Sequence, residues 1–266
     1  MLEPVTCDIG RAAILLDFDG TLAPIVDRAA DARMPAETRE AIEAIRPRAG
    51  LVGFVSGRSL ADLERLVAMP GCAFAGNHGL EIHHPHGVPG LVEAAIPWTD
   101  TITAFGRSRD HAILSRVGVI VEDKGATLTF HWRAAPDPVI AHARLRTVER
   151  LAAEAAGLRV TWGRMVMEVR PPVAIDKGTA VRELLAPHDV DVALYIGDDR
   201  TDADAWRALH ELTDEGALSA GVGIAVVGDE VPPEVRAEAD AEVHGTEGAA
   251  AVLAHLAAHV PGANSA

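Results

Sequence analysis

The chain has 266 residues, 48% of them apolar, which suffices for one large domain or two modest ones and excludes wholesale disorder. Its 24 basic residues face 39 acidic ones, a net charge of −15, and a field of that sign repels phosphate backbones and anionic lipid. Nucleic acid and membrane surfaces are thereby excluded as main partners. A small anionic ligand is not, because a metal and a few cations can invert the potential of one pocket.

From the N-terminus, MLEPVTCDIGR places acids and a proline where a signal peptide would be apolar. Cys7 and Cys72 lie far apart with no metal-ligand spacing, as idle thiols of a reducing compartment do. No apolar run approaches the roughly 18 residues of a membrane span, so the expectation is a soluble, cytoplasmic monomer. AAILLDF is short, apolar and followed at once by DGT, which predicts a fully buried parallel strand. AETREAIEAIRPRA then has helical period, LVGFV before SGR reads as a second strand, and SLADLERLVAM as a helix capped by Ser59. Asp27 and Asp31 read as solvated loop acids. His83, His84 and His86 in IHHPHG resemble a metal cluster, but Pro85 and Gly87 mark a turn and favour a solvated hairpin tip.

The middle of the chain behaves differently. VGVIVEDKGATLTFHWR and LRVTWGRMVMEVRP alternate apolar and polar residues, as half-exposed antiparallel strands do, with the helical DPVIAHARLRTVERLAAEAA between them. This predicts a smaller α+β cap over residues 98–175, punctuated by Pro97 and the Pro171–Pro172 pair, inserted into a core of residues 1–97 and 176–266. VALYI before GDDRTD is the third strand of that core, followed by the helix DADAWRALHEL with Thr201 as its expected N-cap. GVGIAVV is a further strand, and AAAVLAHLAAHV a closing helix. Strand, loop and helix in alternation define an α/β, doubly wound parallel sheet.

Ligands of such sheets bind beyond the carboxyl ends of the strands. Those ends carry Asp17, Asp19, Ser56, Arg58, Asp198, Asp199 and Asp202. Gly20 and Thr21 turn the chain after Asp19 and offer N–H groups to an anion. Clustered carboxylates repel one another, and a hard cation such as Mg²⁺ relieves the repulsion. Acids, hydroxyl, N–H donors and a lysine in one place suit phosphoryl transfer. Only two of the 24 basic residues, Lys124 and Lys177, are lysines, so each marks a position where a compact point charge is wanted.

DFDGTLAPIV resembles the first motif of the haloacid dehalogenase superfamily of phosphatases, VSGR the second, Lys177 in IDKGTAV the third and GDDRTD the fourth. GNHGLEI, VEDKGATLTFHWR and GRMVMEVRP narrow the resemblance to trehalose-6-phosphate phosphatases, the enzymes of the last step of trehalose biosynthesis. It covers residues 14 to about 206, and Asn77 departs from the Ser or Glu that many relatives carry before HG. The resemblance implies a haloacid dehalogenase-like core with the cap between the second and third motifs. It implies Asp17 as the nucleophile that carries an aspartyl-phosphate, and Asp19 as the acid and base. Ser56, Gly57 and Lys177, with Gly20 and Thr21, would hold the phosphoryl oxygens. Mg²⁺ would be bound by Asp17, the Asp19 carbonyl and Asp198, supported by Asp199 and Asp202. Arg58, Asn77, His78 and Gly79 in the core and Glu122, Lys124, Arg133 and Glu168 in the cap would contact trehalose 6-phosphate. Alternatives are a phosphatase of sucrose, glucosylglycerol or glucosylglycerate phosphates, or a catalytically silent regulatory module. The last is weakened by the presence of Asp17, Asp19, Lys177 and Asp198 together.

Overall fold

The computed structural model of the protein describes residues 1–26, 29–163, 165–228 and 236–259, so Asp27 lies outside the described residues. The chain divides into two compact units, Met1–Gly90 with Ile175–Ala266, and Leu91–Ala174. The edge expected at Pro97 therefore falls inside the second unit, where Pro97 belongs to a short turn of 3₁₀-helix, Ile96–Trp98, that leads into a helix.

In chain order the first unit contributes α1 (Glu3–Cys7), β1 (Ala12–Leu16), α2 (Ala36–Ile45), β2 (Leu51–Val55), α3 (Leu60–Val67), β3 (Ala73–Gly76), β4 (Glu81–His83) and β5 (Gly90–Leu91). The second holds α4 (Thr99–Arg107), α5 (His111–Arg116), β6 (Ile120–Asp123), β7 (Leu128–His131), α6 (Pro138–Ala156), β8 (Arg159–Gly163) and β9 (Val166–Arg170). The chain then returns to the first through α7 (Lys177–Leu185), β10 (Val192–Gly197), α8 (Asp202–Asp214), β11 (Ala220–Val227), β12 (Ala241–His244) and α9 (Gly245–Ala258).

The large sheet has the order β12-β11-β10-β1-β2-β3-β4-β5, parallel from β12 to β3 and antiparallel between β3 and β4. Every residue of β1, β2 and β10 is buried, which explains why these strands read as unbroken aliphatic runs rather than alternating ones. Ile42 and Ile45 of α2, Leu63 of α3 and Leu253 and Leu256 of α9 join Ile14, Leu16 and Phe54 in one core cluster. Ser59 caps α3 as expected, its side chain accepting from Asp62 N–H. Thr201 does not cap α8: it sits in helical φ/ψ and its hydroxyl is buried without a partner. The Asp202 side chain, first in α8, instead reaches back and accepts from the N–H groups of Asp198 and Asp199 in the preceding loop.

The smaller sheet is antiparallel, order β6-β7-β9-β8. Leu128, Phe130, Met167 and Val169 pack on Leu145 and Val148 of α6 and on Ile102 and Phe105 of α4. Asp137 starts α6 by accepting from Val139 and Ile140 N–H, Pro138 occupies its first turn, and Gly157 ends it in the left-handed region. The helices α4 and α5 were not expected. Threonines and a glycine make TDTITAFGR a weak helix former, and packing against the sheet decides its conformation. Among the described residues no helix is long and apolar enough to cross a membrane.

Candidate active site

Asp17 follows β1 directly, and its N–H donates to the Ile196 carbonyl at 2.9 Å, so the ladder between β1 and β10 fixes its place at the sheet's edge. The side chain is nearly buried. Lys177 Nζ, on the first residue of α7, lies 2.7 Å from Asp17 Oδ1 and 2.6 Å from Asp202 Oδ1. A capping box sets that lysine: Asp176 accepts from Thr179 N–H at 2.8 Å while Thr179 Oγ1 takes the Asp176 N–H at 2.8 Å. Burial alone would lower the Lys177 pKa, but Asp17 and Asp202 together outweigh it and raise it, so the ammonium is held charged.

Asp202 is fully buried and its oxygens take two donors each. Oδ1 accepts from Lys177 and from the Tyr195 hydroxyl at 2.6 Å, and Oδ2 from the N–H groups of Asp198 and Asp199 at 3.0 and 2.8 Å. Asp202 thereby ties Lys177 to the loop after β10. It also reveals Tyr195, the chain's only tyrosine, which sequence reading passed over as part of an apolar strand. A lone phenol within the apolar VALYI, two residues before GDD, was the available signal.

Carboxylate oxygens of Asp17, Asp198 and Asp202 lie within 4.8 Å of one another. Burial first, then Asp202, pushes the Asp198 pKa up to about 7, and burial also raises that of Asp17. Three crowded carboxylates sharing a single lysine suit a hard, oxygen-liganded cation. Asp199 is exposed and its Oδ1 accepts from Arg200 N–H at 2.6 Å. Thr21 Oγ1 donates to Asp198 Oδ1 at 3.1 Å. Gly20 has φ +83°, and a Cβ there would lie 2.0 Å from Asp198 Oδ2, so only glycine fits. Its N–H, expected to face an anion, donates instead to the Ala23 carbonyl at 2.8 Å.

Asp19, half-exposed, is gripped by Arg58 through two bonds, Nε to Oδ2 at 2.6 Å and Nη2 to Oδ1 at 2.7 Å. Arg58 Nη1 reaches Asp62 Oδ2 at 2.7 Å. Its guanidinium is thus engaged by two carboxylates in this structure. Ser56 ends β2 with its N–H on the Ala75 carbonyl at 2.9 Å and its Oγ accepting from Arg58 N–H at 3.3 Å. The His78 imidazole packs over Gly57, where a Cβ would meet Nε2 at 2.6 Å. Asn77 is fully buried, its amide donating to Glu81 Oε2 at 2.5 Å, while Glu81 Oε2 accepts from Leu60 N–H at 2.9 Å at the start of α3. Gly79 (φ +98°) permits close approach to α7, since a Cβ would lie 2.8 Å from that of Ala180.

In the second unit, Glu122, Thr129, Glu168 and Thr161 are lateral partners across all four strands and so share one face of the sheet. Glu168 Oε1 lies 3.6 Å from Lys124 Nζ and accepts from Thr127 Oγ1 at 3.3 Å, and Glu122 Oε2 lies 2.7 Å from His131 Nε2. Three of the four expected cap residues are therefore placed on one small polar face. Arg133 is exposed beyond the end of β7.

A buried lysine bridging two aspartates at the strand ends of a parallel α/β sheet, with a separate antiparallel unit, defines a haloacid dehalogenase-like protein. The chain belongs to the trehalose-phosphatase family, whose sequence model matches residues 15–246. It is 40% identical over 219 residues to the trehalose-phosphate phosphatase of Mycobacterium marinum, covering 78% of this chain and 54% of that protein. It is 37% identical over 223 residues to an uncharacterized glycosyl hydrolase of Mycobacterium tuberculosis, covering 81% of this chain and 16% of that one. The chain thus spans between a sixth and about half of these relatives' lengths. The C-terminal domain of Candida albicans trehalose-6-phosphate phosphatase shares the fold, with a TM-score of 0.76 at 22% identity over 97% of this chain and 95% of that one.

Proposed function

We propose that the chain is an Mg²⁺-dependent phosphatase that hydrolyses trehalose 6-phosphate to trehalose and inorganic phosphate through an aspartyl-phosphate on Asp17. The observation that carries this reading is the Asp17–Lys177–Asp202 chain at 2.7 and 2.6 Å, beside Asp198 at the sheet's edge. The mycobacterial relative named trehalose-phosphate phosphatase supports the substrate.

Asp17, Asp198 and the main-chain carbonyl of Asp19 would hold Mg²⁺, with Asp202 and Asp199 supporting them. When bound, the ion neutralises the phosphoryl oxygens and the crowded carboxylates. Asp17 attacks phosphorus, forming an acyl–phosphate bond as the phosphorus–sugar oxygen bond breaks, and Asp19 gives that oxygen its proton. Asp19 then takes a proton from water, whose oxygen attacks phosphorus and frees phosphate and the Asp17 carboxylate. Lys177 and Ser56 hold the non-bridging oxygens. Glu122, Lys124, Glu168 and Arg133 of the cap would take the sugar hydroxyls.

Asp17→Asn should reduce turnover by several orders of magnitude with the fold intact, as read by phosphate release and circular dichroism. A variant that keeps a tenth of the wild-type rate would rule out the covalent route. Chelation followed by dialysis should silence the wild type and added Mg²⁺ restore it. Full activity without added metal would contradict the metal assignment.

A further inference from the structure

A second group of ligating side chains sits outside the site described above. An open pocket of about 630 Å³ is lined by His84, Pro85, Glu183, Ala186, Pro187 and His188. His84 follows β4 in a turn closed by Gly87 N–H on the His84 carbonyl at 2.9 Å, and His188 follows the C-terminal end of α7. The two imidazole centres are 6.2 Å apart, and His84 Nε2 is 4.0 Å from Glu183 Oε1. His84 Nδ1 and His188 Nε2 are buried atoms with no hydrogen-bond partner. Such atoms are costly unless something else satisfies them.

We propose that His84, His188 and Glu183 bind a borderline transition-metal ion such as Zn²⁺ or Ni²⁺, fastening the turn after β4 to the end of α7. Two imidazoles and a carboxylate are the donors such ions select, whereas Mg²⁺ prefers oxygen alone. The three donors are not gathered within 4.8 Å of one another in this structure, so binding one ion, with bonds of about 2.0–2.1 Å, would draw the turn after β4 and the end of α7 together. An anion is the poorer occupant, because Glu183 would repel it. Glu183 is 61% exposed on its side chain, so an ion has a way in. His83, the neighbour in sequence, is paired with Glu64 and does not belong to the group.

The site is tested by titrating Zn²⁺, and separately Ni²⁺, into the whole chain in excess Mg²⁺, with the bound ion read by calorimetry and its effect by thermal unfolding. One ion per chain should bind and raise the unfolding temperature. His84→Ala and His188→Ala should each weaken binding about tenfold or more, with Glu183→Gln weakening it as well. His86→Ala, an exposed change on the same turn, should leave it unaltered, and circular dichroism should show every variant folded. No binding to the wild type would overturn the proposal. So would binding that survives loss of either histidine or of the carboxylate, or that falls equally with His86→Ala. Because the readout is ion binding rather than turnover, the result stands apart from the assignment of the substrate.

Discussion

Asp202 joins the two halves of the site's electrostatics, since it takes charge from Lys177 and hydrogen bonds from Tyr195 and from two backbone N–H groups. Tyr195→Phe removes one donor and leaves Lys177 in place, so the ion pair should persist. The expected cost is about 1–3 kcal/mol of stability with turnover changed only a few-fold, measured by urea unfolding and phosphate release. No loss of stability would show that the hydroxyl contributes nothing there. Arg58 acts on Asp19 by the same logic, through a forked grip that fixes both carboxylate oxygens in one orientation. A sugar alkoxide needs a proton to leave and an aryl oxide does not. Arg58→Ala should therefore lose about 10- to 100-fold on a sugar phosphate and much less on a nitrophenyl phosphate. Equal losses on both would mean that Arg58 serves the phosphoryl group or the fold.

At the scale of elements, β1, β2 and β10 were legible because strands buried on both faces write themselves as aliphatic runs that stop where the chain turns. The acids that follow them were legible for the same reason, and Lys177, which opens α7, through the scarcity of lysine. What was not legible was which partner each polar side chain would choose. Asn77, Gly79 and Arg58 stand in the right neighbourhood, yet Glu81 four residues on engages Asn77, while α7 and Asp19 engage Gly79 and Arg58 through contacts between segments distant in sequence. The helix α7 escaped notice although Asp176 and Thr179 form its capping box, because IDKGTAV drew attention to its lysine. In the smaller sheet, alternation identified the strands and the lateral pairing of Glu122, Thr129 and Glu168 sets their common face. If that face meets the disaccharide, Lys124→Ala and Glu168→Ala should each lose about 10- to 100-fold in kcat/KM on trehalose 6-phosphate. Turnover of the small aryl phosphate should be retained, since it never uses remote binding energy. Equal losses on both substrates would assign these residues to the chemistry or the fold.

Across the whole molecule, the proposed function asks a chain of net charge −15 to bind a phosphate dianion, which requires that its sparse cations be placed with care. Lys177 and Arg58 are both buried beside the carboxylates, and each of the two compact units has a hydrophobic core of its own. On the proposed function, one unit would carry the residues for phosphoryl transfer and the other would offer a polar sheet face to the sugar hydroxyls. Selectivity for a disaccharide phosphate is the claim on which that division of labour rests. The most direct measurement is phosphate release, in Mg²⁺, across a panel of trehalose 6-phosphate, sucrose 6-phosphate, glucosylglycerol phosphate, glucosylglycerate phosphate and glucose 6-phosphate. Trehalose 6-phosphate should have the highest kcat/KM of the panel, by about tenfold or more for the loss of even one charged hydrogen bond in a rival. An equal or higher value for any other member, or no release from trehalose 6-phosphate, would contradict the account.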